Sequence, residues 1–177
     1  MPTTTKIVKD LMVTLDAYSH VSEDASLLDA IESLERAPAG SGSEPARPRD
    51  RAVLVQSEDG QVIGKLSQWD MLRGLEPRYE DQIEVIANDY FLWTHAMFVN
   101  LAEKAKKVQA KDLLRQLTHA EMIKEDAPLD VAVHQLVRDR LLSLLVVRGE
   151  RVVGVLRLSD VFRAVTEMVV TSVPEPA

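Results

Sequence analysis

Cysteine is absent from this chain of 177 residues. That excludes disulfides, thiolate metal sites and cysteine nucleophiles. Long apolar runs are absent too. No stretch approaches the roughly 18 apolar residues that mark a membrane span, and the opening MPTTTKIVKDLM has no signal-peptide core. The reading is therefore no membrane contact and a cytoplasmic address. A basic surplus is missing: the formal charge is −7, which argues against nucleic acid as a partner, because such binding must neutralise phosphates. Aromatics are only 5% of residues, so the core must be built from Leu and Val. The four histidines, His20, His95, His119 and His134, are scattered without zinc spacing. No P-loop, Rossmann fingerprint or Gly-x-Ser-x-Gly elbow occurs, so nothing points to an enzyme, a metal or a required cofactor.

What is present is a repeat. KDLMVTLDAYSHVSEDASLLDAIESL (9–34) aligns without gaps on KDLLRQLTHAEMIKEDAPLDVAVHQL (111–136). Lys9, Asp10, Leu11 and Leu15 face Lys111, Asp112, Leu113 and Leu117. Glu23, Asp24, Ala25 and Leu27 face Glu125, Asp126, Ala127 and Leu129. After gaps, RAVLV (51–55) matches SLLVV (143–147), and VIGKLSQWDML (62–72) matches VVGVLRLSDVF (152–162). A repeat found this way constrains the fold more than any local pattern.

One copy reads as β-α-β-β-α. AEMIKED holds a short strand. Leu129, Ala132, Val133, Leu136 and Val137 fall at helical spacing, with Asp126 as candidate N-cap and Pro128 in the first turn. SLLVV reads as a strand buried on both faces. RGER is a turn, VVGVLR a strand, and SDVFRAVTEMV a helix. In the first copy SEDGQ supplies the turn. Three strands with helices on one face leave the other face bare, so two copies should pack together. The predicted class is α/β (α+β). The first repeat spans residues 6–75, with a Gly/Ser/Pro-rich mobile loop insert at about 37–50. A helical insert covers 76–107, the second repeat 108–170, and a disordered tail 171–177.

The order, the duplication and the Gly-x-x-Ser/Thr-x-x-Asp close (Gly64, Ser67, Asp70; Gly154, Asp160) resemble a pair of CBS domains, a Bateman module. The resemblance covers both repeats. It implies two repeats about a pseudo-two-fold axis, binding an adenosine-containing ligand such as AMP, ADP, ATP or S-adenosylmethionine in clefts between them. It implies that Asp70 and Asp160 hold ribose hydroxyls and that Ser67 contacts phosphate or sugar. Arg157 departs from the pattern, standing where the family has Ser or Thr; its planar fork can bind a phosphate or fill the pocket.

Elementary chemistry supports both roles and an alternative. Gly inside a strand is unfavourable unless something approaches closely, which draws attention to Gly64 and Gly154. A helix N-terminus suits phosphate, and a carboxylate can accept from a cis-diol. Equally, Ser67 and Asp70 form a capping box, and Ser159 with Asp160 can cap and charge a helix start. His20, His119 and Arg51 are further candidates, the histidines because they lie near the predicted first strands. Arg47 and Arg49 lie in the loop insert with Arg51.

In the insert, Ile83, Ile86, Tyr90, Trp93, Met97, Leu101 and Lys104 recur at steps of three and four, only the last of them polar, an amphipathic helix. It packs on the chain's own sheets or forms a homodimer contact, as paired CBS domains commonly do. The functional reading is a stand-alone regulatory module that senses an adenine nucleotide and signals to an effector protein. The alternative is a ligand-free dimerisation or docking scaffold with degenerate sites.

Overall fold

The computed structural model describes residues 6–36, 50–76, 98 and 100–172. The loop insert with Arg47 and Arg49, most of the central insert with Trp93 and His95, and the tail beyond residue 172 lie outside them.

Among the described residues seven strands and five α-helices follow in order: β1 (Val13–Thr14), β2 (His20–Ser22), α1 (Leu27–Arg36), β3 (Ala52–Gln56), β4 (Val62–Ser67), α2 (Gln68–Leu75), α3 (Leu101–Lys107), β5 (Met122–Lys124), α4 (Leu129–Asp139), β6 (Ser143–Arg148), β7 (Arg151–Arg157) and α5 (Leu158–Thr171). The repeats give two sheets, β2-β3-β4 and β1-β7-β6-β5. In each, a parallel pair is followed by an antiparallel one: β2 with β3 then β3 with β4, and β5 with β6 then β6 with β7. Both hairpins turn on a left-handed glycine, Gly60 at φ +77° and Gly149 at φ +62°, where a side chain would be strained.

Alternation along the strands splits each repeat into two faces. Val53, Val55 and Leu66 join Leu27, Ala30 and Leu34 of α1 in one core; Leu144, Val146 and Leu156 join Leu129, Ala132 and Leu136 of α4 in another. The opposite faces meet. Val13, Tyr18, Leu54, Leu145 and Val155 form a third buried cluster between the sheets. This is the packing the bare sheet faces demanded.

Register corrects the alignment of the buried strands by one residue. Val55 lies opposite Gly64, and Val146 lies opposite Gly154. Both hairpins carry a register shift at the same place, after Val55 and after Val146. RAVLV therefore corresponds to LSLLV at 142–146. An unbroken apolar run carries no register information of its own; the glycine opposite supplies it.

The leading segments are exchanged. Val8 donates its N–H to Ala127 O at 2.9 Å, and Leu129 N–H donates to Lys6 O at 3.1 Å. At the equivalent places Ala110 N–H donates to Ala25 O at 2.8 Å, and Leu27 N–H donates to Val108 O at 2.7 Å. Val8 is fully buried in the second repeat's core, and Ala110 in the first repeat's. β1 adds a strand to the second sheet through Val13 and Thr14.

Helix starts differ between copies. Ser26 and Asp29 form a capping arrangement ahead of α1. In the second copy Pro128 occupies the N-cap of α4 with no side-chain bond, so Asp126 does not cap it. The described end of the central insert, α3, packs on α1 and α2 of the first repeat. There Ala105 is buried and the Lys104 ammonium donates to the carbonyls of Leu75 and Glu76.

Candidate functional site

Between the repeats lies a cleft of about 930 Å³. Both strand-to-helix corners open on it: β4 into α2 brings Ser67, Trp69 and Asp70, and β7 into α5 brings Arg157, Ser159 and Phe162. Five cations line it, Arg51, Lys65, Arg115, Arg140 and Arg157, against three carboxylates, Asp70, Glu121 and Asp139. With Arg157 neutralised from behind by Asp160 and Asp50, four cations face three carboxylates, a small positive surplus in a chain of net charge −7 that suits an anionic ligand.

The first corner is a capping box. Asp70 accepts from the Ser67 N–H at 3.0 Å and from the Ser67 hydroxyl at 2.6 Å, while the Asp70 N–H donates to Ser67 Oγ at 3.3 Å. The other carboxylate oxygen of Asp70 accepts from Arg73 at 3.2 Å and Arg115 at 3.0 Å. Four acceptances fill the capacity of a carboxylate. Arg73 and Arg115 are both more than half exposed, so a sugar hydroxyl has a place to enter by displacing either.

The second corner is ionic. Arg157 is 5% exposed. Its guanidinium holds Asp160 with two bonds, 2.5 and 3.0 Å, and donates from Nη1 to Asp50 at 3.0 Å. Asp50, also buried, accepts from the Ser19 N–H at 3.0 Å and hydroxyl at 3.1 Å. Burial by itself would lower the Arg157 pKa; the bonds and charge of Asp160, then Asp50, outweigh it and raise the value. Tyr18, packed beside this group, has its phenol pKa raised, by burial first and the Asp50 charge second.

Lys65 bridges the halves. It reaches Glu121 at 3.2 Å and donates to the Ser143 carbonyl at 3.2 Å. Burial pushes the Glu121 carboxyl up, but the Lys65 charge and the bonds from Thr118 and Lys65 outweigh it and hold it low. A depressed carboxyl adds stability above its unfolded value, near 4.3, and loses it as pH falls through the folded one. Lys65→Met should therefore flatten the acid limb of the stability curve. Urea denaturation from about pH 3 to pH 5 checks it: the gap between wild type and variant should narrow toward the acid end.

The other candidates separate. Arg51 lines the cleft. His20 lies in a separate hollow with Asp16 and Arg36, its Nδ1 on the Tyr18 carbonyl at 2.9 Å. His119 is exposed and does not line the cleft. Gly64 and Gly154 face the exchanged segments. A Cβ on Gly64 would stand 2.7 Å from Leu114 Cδ2, and one on Gly154 would stand 2.5 Å from the Val13 carbonyl oxygen. The close approach that a strand glycine signals is made there by protein.

Lys65, Arg115, Glu121 and Asp50 escaped the sequence reading. Lys65 is equivalent to Val155 and Arg115 to Val13, so a search for differences between the repeats would have found both. Among the described residues no group of three His, Cys, Asp or Glu could hold a metal, and no helix is long and apolar enough to cross a membrane.

Residues 110–167 match the CBS domain family. The fold matches a CBS domain-containing protein of unknown function from Kribbella flavida at TM-score 0.63 and 19% identity, over 90% of this chain and 98% of that one. It also matches the CBS-pair protein CBSX2 from Arabidopsis thaliana at TM-score 0.65 and 19% identity, over 93% and 97%. The chain folds as a CBS pair. CBSX2 in complex with AMP matches this chain at TM-score 0.60 and 19% identity, over 92% and 97%. Among curated proteins none matches the chain.

Proposed function

We propose that this CBS pair is a regulatory module that binds an adenosine-containing nucleotide in the inter-repeat cleft and passes its occupancy to a partner protein. The carrying observation is the cation-lined cleft between the two strand-to-helix corners, in a fold shared with an AMP-bound relative. Its volume lies within the range of small-molecule sites. Ser67 and Asp70 offer polar groups at one corner, and Arg51, Lys65 and Arg115 offer charge for phosphate. Trp69, Leu117 and Leu142 offer apolar surface for a base. Gly64, Gly154 and Asp160 act from behind, by setting the strands and holding Arg157. The protein works by binding, not catalysis. A ligand touching both repeats favours one arrangement of them, by no more than its differential affinity.

A thermal-shift screen with AMP, ADP, ATP and S-adenosylmethionine tests this. Ligand at about 100 times its dissociation constant should add roughly 2.7 kcal/mol. Arg115→Ala, at an exposed side chain, should weaken a phosphate-bearing nucleotide about tenfold relative to adenosine.

The scaffold reading is favoured by a different observation: the hydrogen-bonding capacity of Asp70 is already filled, while Trp69, Leu72 and Phe162 are exposed. Leu72 and Phe162 are equivalent in the two repeats, so this face suits a two-fold homodimer. No stabilisation by any nucleotide, with a dimer present, would leave that reading in place.

A further inference from the structure

We propose that Asp50 closes the Arg157 half of the cleft to anionic ligands, so that each chain takes one nucleotide and not two. The count rests on the nucleotide reading; the closure does not.

The pseudo-symmetry carries the argument. Ala52 pairs across the hairpin with Ser67, and Ser143 pairs with Arg157, so these positions are equivalent. Two residues before Ala52 stands Asp50; two before Ser143 stands Leu141. The Ser67 half therefore has a serine facing a leucine position, and the Arg157 half has an arginine facing an aspartate. Both departures occur together, and the two side chains meet at 3.0 Å although 107 residues apart in the chain.

The donors are those a phosphate would use. Asp160 takes the Nε/Nη2 fork that would recognise a phosphate, and Asp50 takes the remaining Nη1 with a single bond. Arg157 already carries Asp160 on two bonds, and Asp50 brings the buried group to one positive and two negative charges. An incoming phosphate would have to displace a buried carboxylate that Ser19 also holds. The other half is provisioned differently. Lys65 and Arg115 stand there, and their counterparts Val155 and Val13 are buried in the seam.

The test is isothermal titration of wild type, Asp50→Asn and Asp50→Leu/Arg157→Ser with AMP and with pyrophosphate. The double variant writes the first half's residue pair into the second, which keeps the test open if Asp50→Asn does not fold. Wild type should take one AMP per chain. Asp50→Asn should bind pyrophosphate at least tenfold more tightly than wild type, and Asp50→Asn/Arg157→Gln should lose the gain. Asp50→Leu/Arg157→Ser should take two AMP, the second more weakly, because Val155 and Val13 give that half no counterpart of Lys65 or Arg115. Two AMP on wild type would overturn the closure and leave the nucleotide reading standing. No AMP on any protein, with pyrophosphate gained by Asp50→Asn, would sink the nucleotide reading and keep the closure. Folded variants with wild-type pyrophosphate affinity and AMP count would overturn it outright.

Discussion

Arg157→Ser should lower the unfolding free energy by about 3–5 kcal/mol, the range for removing one partner of a buried ion group. Asp50 stays buried and loses its guanidinium. Asp160 fares better, because the new serine repeats the capping arrangement of Ser67 and Asp70. The loss is thus centred on Asp50, and Asp50→Leu/Arg157→Ser should recover more than half of it. Urea denaturation of Arg157→Ser, Asp50→Leu and the double variant gives the coupling energy directly. A loss under about 1 kcal/mol for Arg157→Ser would mean that water reaches the group freely. Arg157→Lys should not rescue stability, since a lysine cannot hold Asp160 through two parallel bonds while reaching Asp50.

Gly154→Ala is the second large effect. The added Cβ would stand 2.5 Å from a backbone carbonyl of β1, and a backbone oxygen cannot rotate aside. Either β1 leaves the sheet edge or β7 bends. The cost should reach about 3 kcal/mol, the upper end for an overpacked site. Gly64→Ala is the control. Its neighbour is the Leu114 side chain, whose far end can move, so about 1 kcal/mol is expected. Equal costs would mean that β1 is not held as described. Calorimetric melting of both variants decides it.

The duplication, the β-α-β-β-α order and the two corners were legible because each rests on local pattern. Leu129, Ala132 and Leu136 mark a helix face whatever surrounds them, and Gly64 and Gly154 mark crowding whatever its source. What crowds them was not legible. Nothing in KDLM or KDLL says that each segment joins the core of the other repeat, since both faces it can meet are apolar. Asp50 was missed for a related reason. It stands at the edge of a loop rich in charge, and the true register places it against Leu141, an equivalence that the apolar run conceals by one residue. The role of Arg157 followed the same way: its departure from the repeat was visible, but its partner lay 107 residues off.

The exchange of leading segments has a consequence for the order in which the chain can fold. The first repeat closes its core only when Ala110 arrives, and the second only with Val8 from the far end of the sequence. As the polypeptide leaves the ribosome, the first repeat must wait for the central insert to be made, and Val8 must wait for nearly the whole chain. Neither repeat completes its core from its own segment alone, and such long-range closure slows folding. A cut within the central insert would therefore give two fragments that acquire structure on mixing, each completing the other.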